Sequence, residues 1–171
     1  MAGDKLKVLF LCTGNSCRSQ MAEGWVSLPR ASEDIFVLRF VTRDFFFQAH
    51  ALKSAELEAY SAGIEKHGLN PNAVKVMAEV GVDISNHYSK TVDEMKDIPF
   101  NYVITVCGHA NETCPIWLKK GRAKVIHVGF EDPPALAKEA ADEEAAIQCY
   151  RDVRDKIKAF VETLPEPLTM S

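Results

Sequence analysis

The sequence predicts an α/β fold, a parallel sheet covered by helices on both faces. Short apolar runs alternate with helical patterns along the chain, and residues with chemistry to offer follow the predicted strands. The length of 171 residues suits one domain with a real core. Val8 to Leu11 form the first run, a buried strand that ends in a glycine-containing turn, and Ser19 to Val26 read as a helix. Leu57 to Tyr60 make a weaker strand. Asn70 then suits a helix cap, Pro71 its first position and Gly81 its stop. Tyr102 to Val106 and Lys124 to Val128 are short β-branched strands. Ile147, Tyr150, Val153, Ile157, Phe160 and Leu164 recur at steps of three and four, one face of a long helix that Pro165 and Pro167 end. Cys12, Cys107 and Asp132 each lie just after a predicted strand, the end of a parallel sheet where ligands gather.

Composition narrows the function classes. The hydrophobic share is 47% and the charged share 26%, and no apolar run approaches the roughly 20 residues of a membrane span. The amino terminus passes from a charged lead through a few apolar residues into polar loop chemistry, unlike a signal peptide. A soluble, cytoplasmic monomer is expected, with no membrane partner. A net charge of −4 with scattered lysines argues against a nucleic-acid surface. Five cysteines, an odd number, suit reactive or buried thiols better than a disulfide framework. The six residues between Cys107 and Cys114 do not match zinc-module spacing, and no metal site is expected.

The sharpest signal is Cys12-Thr13-Gly14-Asn15-Ser16-Cys17-Arg18-Ser19. A cysteine and an arginine six apart enclose small polar residues on a loop that enters a helix. Inward N–H groups at the positive end of a helix would bind a tetrahedral oxyanion, with Arg18 offering bidentate donors. The same field is expected to lower the Cys12 pKa and make its thiolate the nucleophile, with Ser19 donating to the sulfur. Cys17 is read as a packing or spare redox thiol, and Cys149 as a core or half-buried one. His67, His87 and His127 are read as structural, and the acidic run Glu139, Asp142, Glu143, Glu144 as a solvated face.

VLFLCTGNSCRSQMAEGW resembles the start of arsenate reductases built on the low-molecular-weight tyrosine phosphatase fold. The likeness continues through YSAGIEKHGLNPNAV, VGVDISNHYSK, VITVCGHANETCP and VGFEDPPALA. It implies a four-stranded parallel sheet with flanking helices, Cys12 as nucleophile, Arg18 as oxyanion ligand and Asp132 as general acid, with Glu131 its near competitor. Phosphatases of this fold usually carry tyrosines after that Asp-Pro. Here Pro134 and Ala135 follow, which weakens a phosphotyrosine reading.

Reduction of arsenate needs two electrons, the number released when two thiols become a disulfide. Cys107 and Cys114 fit that need and would be idle in a phosphatase. An intact helix would hold their Cα atoms roughly 10 Å apart, beyond disulfide reach, so the segment would have to unwind on oxidation. The resemblance suggests thioredoxin as external reductant. The alternative is a phosphatase acting on phosphotyrosine or small phosphoesters through Cys12, Arg18 and Asp132.

The resemblance also implies a cation site beside the loop. Asn15, Glu23 and Ser61 match its ligands, but the fourth position is Lys90 where an aspartate is usual. Either the ammonium fills the metal's volume or Lys90 is an exposed lysine. Both readings expect no potassium requirement, and no bound cofactor is expected. An insertion at about residues 27–55 has no counterpart in the resemblance. Its apolar runs, Ile35 to Val41 and Phe45 to Phe47, are expected to cover a hydrophobic face or a partner interface.

Overall fold

Four short runs form one parallel sheet in the computed structural model, which describes residues 5–28 and 56–169. They are β1 (Leu6–Cys12), β2 (Leu57–Gly63), β3 (Tyr102–Thr105) and β4 (Lys124–His127), in the order β2-β1-β3-β4. The expected strands are all present. β1 gains a residue or more at each end and β2 extends to Gly63, because pairing with a neighbour continues past the apolar run that marks a strand in sequence. The insertion expected at 27–55 lies, apart from Ser27 and Leu28, outside the described residues.

Seven helices are described: α1 (Arg18–Val26), α2 (Pro71–Ala78), α3 (Gly108–Glu112), α4 (Ile116–Lys120), α5 (Pro133–Lys138), α6 (Glu143–Thr163) and α7 (Glu166–Thr169). A 3-10 turn covers Val92–Met95. α1 is buried almost all round, since it packs against β1 and β2 and is covered by α6. The expected cap of α2 forms: Asn70 Oδ1 accepts from the N–H groups of Asn72 at 2.9 Å and Ala73 at 3.2 Å. Asn70 Nδ2 also donates to the Tyr150 hydroxyl at 3.2 Å, which ties α2 to α6.

α6 buries Ile147, Tyr150, Val153, Arg154, Ile157 and Val161. Val161, not Phe160, continues the buried stripe, because four residues after Ile157 returns closest to the same helix face. Phe160 is half-buried and packs its ring 6.1 Å from that of Phe130, bracing the loop after β4. Pro165 ends α6 as expected, and one further helical turn, α7, follows it.

β1 is the centre of the sheet, and its residues Val8 to Leu11 have no exposure at all. It pairs with β2 on one side and β3 on the other, with Cys12 opposite Gly63 and Leu11 opposite Thr105. The Val106 N–H donates to Leu11 O at 2.9 Å, and Cys12 and Cys107 are the residues that follow these two bonded ones. Adjacent parallel strands lie about 4.8 Å apart, and this register is what makes two cysteines 95 positions apart into neighbours.

Candidate active site

The loop from Cys12 to Cys17 is held from outside by its carbonyl groups. Cys12 O, Thr13 O, Gly14 O and Ser16 O accept from the N–H groups of Ile64, Glu65, His67 and Asn70 at 2.9–3.1 Å. Among the described residues, no N–H group from Thr13 to Cys17 donates to a protein carbonyl, and Thr13 N–H faces the Cys12 sulfur. With carbonyls outward and N–H groups uncommitted, the loop is built to receive an anion. Gly63 permits the close approach, since a Cβ there would meet Glu65 O at 2.3 Å and Thr13 O at 2.7 Å. Asn15 takes φ +46, a left-handed conformation that asparagine tolerates better than most residues.

Asn15 is fully buried and explains how that turn is held. Its Nδ2 donates to Ser19 Oγ and Ser61 Oγ at 2.9 Å each, and its Oδ1 accepts from the Lys90 N–H at 2.8 Å and from Gln20 Nε2 at 3.0 Å. Ser19 Oγ thus accepts from Asn15, and the described hydrogen bonds include none from it to the Cys12 sulfur, where one was expected. Ser61 Oγ donates in turn to Glu23. The Lys90 ammonium lies 3.4 Å from Glu23 Oε2, with its side chain only 12% exposed. Lys90 is thus not a solvent-exposed lysine. Its ammonium meets Glu23, and its backbone N–H, not the ammonium, meets Asn15.

Arg18 opens α1 and points back across the loop. Its Nη1 donates to Phe130 O at 2.9 Å, and its Nη2 pairs with Asp132 Oδ1 at 2.9 Å. Its Nε is buried with no hydrogen-bond partner among the described residues, a donor left over for a ligand. Asp132 faces this guanidinium, whereas Glu131 pairs with Lys156 away from the loop. Geometry thus separates the two carboxylates that sequence left as competitors. A cavity of about 470 Å³ opens over the loop, lined by Cys12, Arg18, His67, Asn70, Asp132 and Pro134 among others.

All five cysteines are free, and Cys12, Cys17, Cys107 and Cys114 are buried. Cys12 hydrogen-bonds Cys107. That hydrogen bond, joined by burial, raises the Cys12 pKa against the pull of Arg18. The same bond lowers the Cys107 pKa, helped by the Thr13 hydroxyl, the Ala110 N–H and the Arg18 charge. Where a lowered Cys12 pKa was expected, the shared hydrogen bond and burial raise it and that bond lowers the pKa of Cys107, the sulfur that collects more donors. Thr13 Oγ1 is 3.3 Å from Cys107 Sγ, and Ala110 N is 3.4 Å from it. Burial pushes the Cys17 thiol up to about 12 and also raises that of Cys114. Cys17 caps the entry to α1 and keeps its packing role. Cys149 is half-buried on α6 and donates to Ala145 O, as read.

The segment between Cys107 and Cys114 is α3, followed by a turn at Thr113. It is helical with both thiols free, which meets the condition under which the segment would have to unwind on oxidation. His87 Nδ1 bonds Gln20 Oε1 at 2.9 Å and His127 Nδ1 bonds Thr105 Oγ1 at 2.9 Å, both structural. His67 is hydrogen-bonded, as expected, but it has a second position to fill. It pairs with Glu65 at 3.0 Å but also walls the cavity, and a Cβ on Gly14 would meet its ring at 2.2 Å. Sequence offered no signal for that, since a two-strand separation has to close first.

A comparison with known families decides the lineage. The model of the family described as low molecular weight phosphotyrosine protein phosphatase matches residues 7–31 and 42–170. This chain belongs to that phosphatase family. Within it, the similar curated proteins bear a reductase name. The arsenate reductase of Bacillus subtilis (strain 168) is 42% identical over 159 residues, covering 91% of this chain and 95% of that protein. The arsenate reductase of Halalkalibacterium halodurans is 39% identical over 163 residues, covering 95% and 97%. A solved arsenate reductase in a phosphate-bound state superposes with TM-score 0.68 at 27% identity, over 96% of this chain and 99% of that one. A low molecular weight tyrosine phosphatase from T. tengcongensis shares the fold, with TM-score 0.64 at 22% identity. No helix among the described residues is long and apolar enough to cross a membrane.

Proposed function

We propose that this chain reduces arsenate to arsenite, with Cys12 as the arsenate-binding nucleophile, Cys107 and Cys114 as the electron-carrying pair, and thioredoxin as the external reductant. The observation that carries the reading is the hydrogen bond between the Cys12 and Cys107 sulfurs at the rim of an anion loop, a bond that lowers the Cys107 pKa. Hydrolysis of a phosphocysteine needs only the loop and an acid. A second thiolate against the nucleophile serves a sulfur-to-sulfur transfer.

The chemistry runs in three steps. Arsenate enters the loop, bound by its N–H groups and by Arg18 Nε, and takes Nη2 from Asp132. Cys12 passes its proton to Cys107 and attacks arsenic, while the released Asp132 carboxylate takes a proton from the incoming hydrogen arsenate and delivers it to the departing hydroxyl, which leaves as water. Cys107, once deprotonated again, attacks the Cys12 sulfur. The S–S bond forms, the S–As bond breaks, and its electron pair leaves with arsenic, so As(V) becomes As(III). Cys114, deprotonated as it leaves its buried site, then attacks Cys107. This requires α3 to unwind, frees Cys12 as a thiolate and leaves a Cys107–Cys114 disulfide for the thioredoxin dithiol to reduce.

The relatives named arsenate reductase and the phosphate-bound structure support the substrate class. The family's phosphatase chemistry would use the same Cys12, Arg18 and Asp132, and it is the competing reading. Peptide mapping after one arsenate turnover without reductant tests the scheme. A Cys107–Cys114 disulfide is expected. A Cys12–Cys17 disulfide alone would mark the loop as a protected phosphatase or a redox sensor instead.

On the cation region, Lys90 stands in for a bound potassium ion, and no potassium requirement follows. The support is the ammonium held against Glu23 and the closed hydrogen-bond set of Asn15, Ser61 and Glu23. The chain acts as a cytoplasmic monomer in this reading.

A further inference from the structure

His109 has no task in the scheme above, yet it sits two hydrogen bonds from the second thiol. Its Nδ1 is 3.3 Å from Thr13 Oγ1, and that oxygen is 3.3 Å from Cys107 Sγ. Thr13 belongs to the loop after β1, while Cys107 and His109 flank Gly108 at the start of α3. The contact therefore bridges the anion loop and the redox segment.

The direction of the chain of hydrogen bonds follows from proton counting. The Thr13 hydroxyl has one proton and two neighbours. As a thiolate, the form in which it attacks, Cys107 Sγ carries no proton and only accepts, as it does from the Ala110 N–H at 3.4 Å. Thr13 then spends its proton on the sulfur and presents a lone pair to the imidazole. Two facing lone pairs would repel, so Nδ1 carries a hydrogen. We propose that His109 is a positioning residue for the exchange thiol: its Nδ1–H holds the Thr13 hydroxyl turned toward Cys107, where it donates to the sulfur. The proposal rests on the reductase reading of Cys107 and deepens it. The other charged or titratable groups that bear on Cys107 are Cys12 at the end of β1 and Arg18 at the start of α1, and both are unchanged in the variants below.

The test is the pH profile of Cys107 alkylation by iodoacetamide, read by peptide mass spectrometry on the reduced full chain. The parent is compared with His109→Ala, His109→Asn, Thr13→Val and the Thr13→Val, His109→Ala double variant. The asparagine amide places a donor near the Nδ1 position without the titratable ring. His109→Ala is expected to move the Cys107 midpoint up by roughly half a unit to one unit, the effect of one hydrogen bond, and His109→Asn to restore most of it. Thr13→Val should move it at least as far, and adding His109→Ala should move it no further, since residues acting through one another are not additive. A His109→Ala profile that overlays the parent overturns the proposal. So does a His109→Ala shift that persists undiminished in the Thr13→Val background, which would make the imidazole act on Cys107 directly. The reductase reading fails separately, if arsenate leaves no Cys107–Cys114 disulfide in the parent, because the alkylation profile involves no arsenate.

Discussion

Lys90 holds a positive charge 3.4 Å from Glu23, under a loop that must accept an anion. A compact ammonium on a flexible stem can serve where a small cation would, but it cannot exchange with solvent ions. Lys90→Gln removes the charge and is expected to lower kcat/KM for arsenate severalfold. Lys90→Asp supplies an oxygen ligand and is expected to make activity depend on potassium over sodium at equal ionic strength. Potassium activation of the parent would contradict the assignment. The two thiols give a second prediction. With the Cys107 pKa lowered and that of Cys12 raised, iodoacetamide at pH 6 should label Cys107 ahead of Cys12. The sign follows from the thiolate being the reactive form: a lowered pKa keeps it present as pH falls. Labelling of Cys12 first would place the proton on the wrong sulfur. None of this proton placement was legible in the sequence, because a lone Cys12 beside Arg18 argues for a lowered pKa until the neighbour from β3 is known.

Elements were more readable than side-chain contacts. The α2 boundary was written in Asn70 and Pro71, since capping and proline placement act within a few residues. Asn70→Ala removes two cap hydrogen bonds and the link to Tyr150, and is expected to cost about 1–2 kcal/mol in urea unfolding. An unchanged midpoint would mean that α2 is held by its apolar face alone. The stripe on α6 was legible for the same local reason, although Val161 rather than Phe160 completes it. The short helix α3 entered the sequence reading only as a condition on the Cys107 to Cys114 spacing, because five residues carry no helical periodicity. His109 escaped notice there, because its partner Thr13 lies 96 positions away.

At the scale of the molecule, the strand order β2-β1-β3-β4 puts the ends of β1 and β3 side by side. The loop cysteine, the second thiol and, after β4, Asp132 then share one rim of the sheet, the usual place for a ligand in a parallel α/β fold. The sequence showed parallel strands and the residues after them, but strand order arises from pairing between distant segments, which short-range patterns do not carry. The central claim is that this rim moves two electrons rather than hydrolysing a bond. It is tested most directly by arsenate-dependent NADPH oxidation with thioredoxin and thioredoxin reductase, comparing the parent with Cys107→Ser. Sustained oxidation by the parent and none beyond the first turnover by Cys107→Ser is the predicted result. Oxidation by Cys107→Ser at the parental rate, or no arsenate-dependent oxidation by the parent, would contradict it.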